Sequence, residues 1–398
     1  MSGPPASIAG AATRTRLLVT VYALDTLTAL AVLAYGNAAY LIDELNAADA
    51  VPAFALALYG LCKIASAPVA GRVFDRAGPR ATLASGAGML AAGLAVILVT
   101  HSTAGYLVAL APISAGLGFA WLVVFAAMGR LTTAEGRASE TGFIAVASIL
   151  AVASGFGGAG LVAETGLWWL PFSIAIALGG VAAAASAPLA PSARAHRPSM
   201  TESDAVPVSP VAHTAGAPRA AAAAVLLHFA VATAVAGVFG AYILRTLDFS
   251  LVAAGLLLVP AVSAGGLAML VGGGWSRPGR RLLETAAVYV IGAAGAFALA
   301  AAHGPVTFAI AAVPLGVALG GAVPLVNAAV LDVATASPRT GRALGWLFLS
   351  QGVGTVGGPL LAGVVLAAYG TREALVAIGG AYLAGALVDA VNNRRTRL

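Results

Sequence analysis

The sequence predicts an all-α membrane protein, with twelve transmembrane helices in two pseudo-symmetric six-helix bundles. Three observations carry that expectation. Hydrophobic residues make up 60% of the 398-residue chain and charged residues only 9%, whereas soluble domains carry about 25% charged residues. Apolar runs of about 20 residues, long enough to cross a bilayer, are separated by short arginine-bearing loops. The two halves of the chain also resemble each other. A transmembrane β-barrel would need short alternating segments, and the sequence shows none.

Twelve spans are expected, at 17–41, 51–70, 81–100, 105–127, 141–163, 167–187, 220–244, 249–271, 282–301, 305–331, 343–368 and 373–391. Between the sixth and the seventh, Pro188, Pro191, Pro198, Pro207, Pro210 and Pro218 lie among Ser, Ala and His, the composition of a flexible linker. The expected organisation is an N-terminal bundle (1–187), a cytoplasmic linker (188–219) and a C-terminal bundle (220–398). With a cytoplasmic N-terminus, 18 of the 20 arginines fall inside, and only Arg245 and Arg372 fall outside. The positive-inside rule therefore places both termini in the cytoplasm. The first sixteen residues lack the apolar core of a cleavable signal peptide. The net charge of +6 comes from scattered loop arginines, which does not suggest nucleic-acid binding. One cysteine, Cys62, excludes an internal disulfide and a cysteine-based metal site. No cofactor or metal is expected.

The internal repeat appears at a shift of about 201–205 residues. GRVFDRAGPR (71–80) lines up with GGGWSRPGRR (272–281), Pro112 and Gly118 with Pro314 and Gly320, and Gly136-Arg137-Ala138 with Gly341-Arg342-Ala343. Duplicated six-helix halves are a transporter signature, with the binding site near the midplane between repeats.

At 71–80 the chain resembles the major facilitator superfamily, whose motif between helices 2 and 3 reads roughly G-x-x-x-D-R-x-G-R-[RK]. Gly71, Asp75, Arg76, Gly78 and Arg80 match, and Pro79 departs. The resemblance implies that these residues tie neighbouring helix ends together on the cytoplasmic side and steady an outward-open state. The second-half copy has Ser276 for the aspartate, which implies a weaker latch there. The stretch 316–363 is similar to the tenth and eleventh helices of monocarboxylate transporters and their bacterial relatives, best in GRALGWLFLSQGVGTVGGPLLAG (341–363), although the acidic–arginine pair of their eighth helix is missing here. LDTLTALAV (24–32) is similar to the first helix of drug–proton antiporters, but Pro112 stands where their fourth-helix motif has arginine.

Few titratable groups fall well inside the spans. Twenty of the 21 basic residues are arginine, and the single lysine, Lys63, lies in the second span. Asp25 in the first span and His228 in the seventh lie at a similar depth, roughly 12 Å from the cytoplasmic end. Intramembrane ionisable residues are costly and are functional-site hypotheses by default. Spans 1 and 2 are joined by a short loop, so Asp25 and Lys63 are expected to form an ion pair or share a proton. The plainer reading is a staple between two helices. Helical spacing puts Tyr22, Asp25, Thr28, Val32 and Tyr35 on one face of span 1, and Tyr59, Lys63 and Ser66 on one face of span 2. His228 reads either as a proton relay or as a neutral histidine bonded to a helix carbonyl. Asn37, Tyr40, Trp121, Asn327, Trp346 and Gln351 are further candidates, and Arg245 and Asp248 are expected to pair on the outer face.

The expected function is secondary active transport by alternating access, because the chain has no P-loop for ATP. The expected partners are a small-molecule substrate, protons and the lipid bilayer, with the protein a monomer in the bacterial inner membrane. The substrate class suggested is a small organic anion, since Lys63 is the only buried ammonium. The alternative is a proton-linked exporter of amphipathic compounds, with Asp25 recognising cations.

Overall fold

The computed structural model describes residues 8–47, 51–133, 136–189, 217–242, 247 and 251–397. Most of the linker, Arg245, Asp248 and the side chain of Asn37 lie outside the described residues. Among the described residues every regular element is helical. Ten of these helices are long and apolar enough to cross a membrane. One of the ten, Leu58–Thr100, has 43 residues, about twice what one crossing needs. It holds most of the expected second span and all of the third, parted at Gly78, where φ is 84°. An L side chain is strained there and glycine is not. Pro79 follows at the start of the next helix, where a missing N–H removes no hydrogen bond. The turn therefore accommodates the residue at which 71–80 departs from the motif it resembles. The second half repeats the turn, with Gly279 at φ 81° between the helices Leu251–Trp275 and Arg281–Ala300.

Large apolar side chains such as Leu161, Leu267, Ile310, Leu361, Val364 and Leu387 point outward. A patch of this size is untenable in water, and a bilayer is the solvent that suits it.

The chain divides into two compact units. The first comprises Met1–Leu131, Ala147–Ala205 and Arg339–Leu349; the second comprises Thr132–Val146, Val206–Pro338 and Ser350–Leu398. Each unit thus holds most of one sequence half plus the start of one helix from the other.

In the first unit, an aromatic nest closes one end. Tyr40 meets Phe172 edge-on at 4.8 Å, and Tyr35 meets the same ring edge-on at 5.9 Å. Such T-shaped contacts match ring edge to ring face electrostatically. The helix Ile8–Thr28 runs on into a π-helical segment, Ala29–Glu44. In that segment hydrogen bonds run i→i+5, so side chains fall behind α-helical register. In the second unit the core is built from Val231, Val235, Tyr289, Phe308, Leu315 and Tyr382 with many alanines. Gly265, Gly316 and Gly320 let the helices Leu251–Trp275 and Pro305–Ala336 approach backbone to backbone.

Candidate functional site

Asp25 is half-buried on the first helix and accepts a hydrogen bond from the Ser148 hydroxyl at Oδ2. Ser148 belongs to the helix Arg137–Ala163, over the fifth span. Two more bonds stitch these helices: Tyr22 donates to Ser154 (2.7 Å) and Thr26 to the Ala151 carbonyl (3.3 Å). A Cβ at Gly155 would strike Ala29 and the Thr26 carbonyl, so the glycine permits this close crossing. From the second span, Tyr59 and Lys63 turn toward Asp25, and the carboxylate's charge acts on both. They lie one helical turn apart on one face.

The direct contact to Asp25 is therefore the Ser148 hydroxyl, and Lys63 is an electrostatic neighbour rather than a contact ion-pair partner. Among the described residues no carboxylate forms an ion pair with the Lys63 ammonium. Tyr35 also departs from the expected stripe. Tyr22 is 40% exposed, whereas Val32 is 1% and Tyr35 6% exposed. Val32 and Tyr35 lie within the π-helical segment Ala29–Glu44, whose register carries Tyr35 into the aromatic nest.

Three of the remaining candidates, His228, Asn327 and Gln351, belong to the second unit. His228 is buried, with its ring edge-on to Phe229 at 5.2 Å. Asn327 and Gln351 are half-buried. The Gln351 carbonyl accepts a bond from Thr355 (2.9 Å).

The motif 71–80 grips a helix start. Asp75 Oδ1 accepts from the Gly341 N–H (2.9 Å), and Oδ2 accepts from the Arg342 N–H (2.8 Å). Both donors lie in the first turn of Thr340–Tyr369. First-turn N–H groups have no partner within the helix, and the helix dipole favours an anion there. Gly71 makes room for the contact, because a Cβ at this position would collide with the Gly341 carbonyl. Arg76 and Arg80 are exposed.

The second-half copy holds differently. Ser276 is buried, and its hydroxyl has no hydrogen-bond partner. Gly273 packs on the Ala138 carbonyl, as Gly71 packs on that of Gly341. The carboxylate comes instead from Asp332, near the end of Pro305–Ala336. Its Oδ1 accepts from Arg137 (2.6 Å) and its Oδ2 from Arg281. Arg281 also donates to the Ala328 carbonyl (2.9 Å). Both guanidiniums are almost wholly buried.

Sequence reasoning overlooked Ser148, Asp332 and Asp389. Ser148 had no local signal, because nothing in the sequence pairs the first span with the fifth. Asp332 and Asp389 lie toward span ends, where acidic residues usually meet water. Yet Asp332 is 8% exposed and Asp389 is 0% exposed.

A family profile described as Major Facilitator Superfamily matches residues 18–339. No curated protein matches the sequence. Among solved structures, the human organic anion transporter MFSD10 (TETRAN) superposes with a TM-score of 0.73 at 15% identity, over 97% of this chain and 100% of that one. FucP in the outward conformation gives 0.72 at 14% identity, over 97% and 98%. The proton:xylose symporter XylE gives 0.72 at 12% identity, over 95% and 94%.

Proposed function

This chain belongs to the Major Facilitator Superfamily and is a multi-pass membrane transporter, not an enzyme, and from that premise we propose that it couples protons to the movement of a small organic anion. At 12–15% identity the structural neighbours establish the fold; the argument for the cargo rests on Lys63. The observation that carries it is the Ser148–Asp25 hydrogen bond beside Lys63. Because Ser148 satisfies Asp25, the ammonium is not locked in a contact pair and can meet an incoming carboxylate. Protonating Asp25 would remove the competing negative charge, and losing that proton would restore it. Anion and proton would thus favour the same cavity state, which is the logic of symport.

In this reading Asp25, Lys63, Tyr22 and Tyr59 form the coupling site, with His228, Asn327 and Gln351 contributing from the second half. The six-helix bundles 1–187 and 220–398 rock about it, joined by 188–219. The grip of Gly71, Asp75, Arg76, Gly78 and Arg80 on the Thr340–Tyr369 helix start forms and breaks with each cycle. The protein works as a monomer in a bacterial inner membrane, with both termini cytoplasmic.

Proteoliposome transport of a carboxylate panel, with and without a pH gradient, tests this. Lys63→Ala should lower anion uptake on the order of tenfold or more, the cost of losing one charge-assisted contact. Asp25→Asn should keep exchange but lose accumulation driven by the gradient. The proposal fails if both variants transport anions with unchanged pH dependence. Selective loss of cationic-drug export in Asp25→Asn would point instead to the exporter reading.

A further inference from the structure

We propose that Asp389, in the last span, is a proton-binding site built with Thr285 and Tyr289 inside the C-terminal bundle, near the pocket beside Arg281. It lies in the second unit and does not rest on the Asp25–Lys63 reading.

Asp389 is 0% exposed, and neither carboxylate oxygen has a hydrogen-bond partner. The hydroxyls of Tyr289 and Tyr382 are likewise buried without partners. These orphaned groups share one core, with the two rings 5.6 Å apart. Glycine contacts fix the register of the helices Arg281–Ala300 and Thr371–Arg397. A Cβ at Gly385 would meet the Tyr289 ring at 3.1 Å, and one at Gly292 would meet the Tyr382 ring at 2.8 Å. The helices run antiparallel, so Asp389, one turn beyond Gly385, stands level with Thr285, one turn before Tyr289. A turn is about 6 Å at four residues. Thr285 is fully buried and donates to the Arg281 carbonyl (2.8 Å), which leaves its oxygen free to accept.

An ionised carboxylate without donors is unfavourable in such a core. One proton neutralises it and creates a single O–H donor, and the facing helix carries the Thr285 and Tyr289 hydroxyls at its level, toward which a small side-chain movement would turn it. A hard metal cation suits the place less well, since it wants about six oxygen ligands. The charged and titratable groups on the packed elements leave Asp389 uncompensated. On Arg281–Ala300, Arg281 is held by Asp332, Glu284 acts on Arg281, and Tyr289 faces Asp389. The helix Ala217–Ala241 brings Arg219 and His228, and its own helix brings Tyr382 and Arg394. None of these supplies a hydrogen bond to the carboxylate.

A small pocket of about 50 Å³ lies nearby, lined by Ala217, Gly279, Arg281, Asp332, Val333 and Asn393. Asn393 is one turn beyond Asp389 on the same face, so the pocket ends about 6 Å along the helix from the acid.

Infrared difference spectroscopy of the purified protein in lipid, titrated over pH, tests the site. The expected result is a protonated-carboxyl C=O band that grows as pH falls, is lost in Asp389→Asn, persists in Asp25→Asn and shifts in frequency in Tyr289→Phe. A band that survives Asp389→Asn overturns the proposal. So does an Asp389 band that never changes with pH, which would mark a permanently neutral structural acid. A carboxylate that stays ionised and responds to sodium would replace it with a metal-ion site. Should Asp389→Asn fail to fold, Tyr289→Phe decides: an unshifted band sinks the idea.

Discussion

The loops 71–80 and 272–281 share a turn and differ in grip. Gly78 and Gly279 adopt nearly the same φ, 84° and 81°, and each precedes a helix that carries an arginine at its start. In the first loop the carboxylate of Asp75 holds two main-chain N–H groups. In the second, Ser276 holds nothing, and Asp332 from another helix binds two guanidiniums. The backbone of the repeat was kept while the charge was relocated. A bond to main-chain N–H groups asks only that a helix start be near; a bond to two arginines asks that three side chains stay buried together. The first grip is cheap to open, and the second is costly to leave half-made.

That contrast can be broken. Asp332→Ala should have the largest effect, because it strands two buried cations; removing one partner of a buried pair costs about 3–5 kcal/mol. Thermal unfolding in detergent should show a marked loss, and restoring packing with Arg137→Met and Arg281→Met in the same chain should recover much of it. Asp75→Asn should cost less, about 1 kcal/mol, the worth of a typical helix N-cap. Its clearer sign should be a shift in conformational population, read as altered labelling of a cysteine placed at the Thr340–Tyr369 helix start. Ser276→Ala should be nearly silent, within about 0.5 kcal/mol or slightly stabilising, since it removes a buried hydroxyl that has no partner. A large loss there would mean that the second loop does bind something through Ser276.

Much of the fold was legible because it is written in local terms. Apolar run length announced the spans, and the match of 71–80 to 272–281 announced the repeat. Lys63 and Asp25 stood out because each is an ionisable side chain in an apolar run. What stayed hidden was non-local or irregular. Ser148 lies 123 residues from Asp25, and no pattern within either span pairs them. Tyr35 was misplaced because α-helical spacing was carried through a segment that is π-helical. Asp389 escaped notice because its burial depends on how two helices meet, at Gly385 and Gly292, rather than on its own neighbours in sequence.

Cys62 is half-buried and immediately precedes Lys63 on the second helix. The chain's sole thiol and its sole lysine amine are therefore consecutive residues. A maleimide and an amine-directed acylating reagent would report on adjoining positions of one wall without any engineered background, and digestion at arginine would recover both marks in a single peptide.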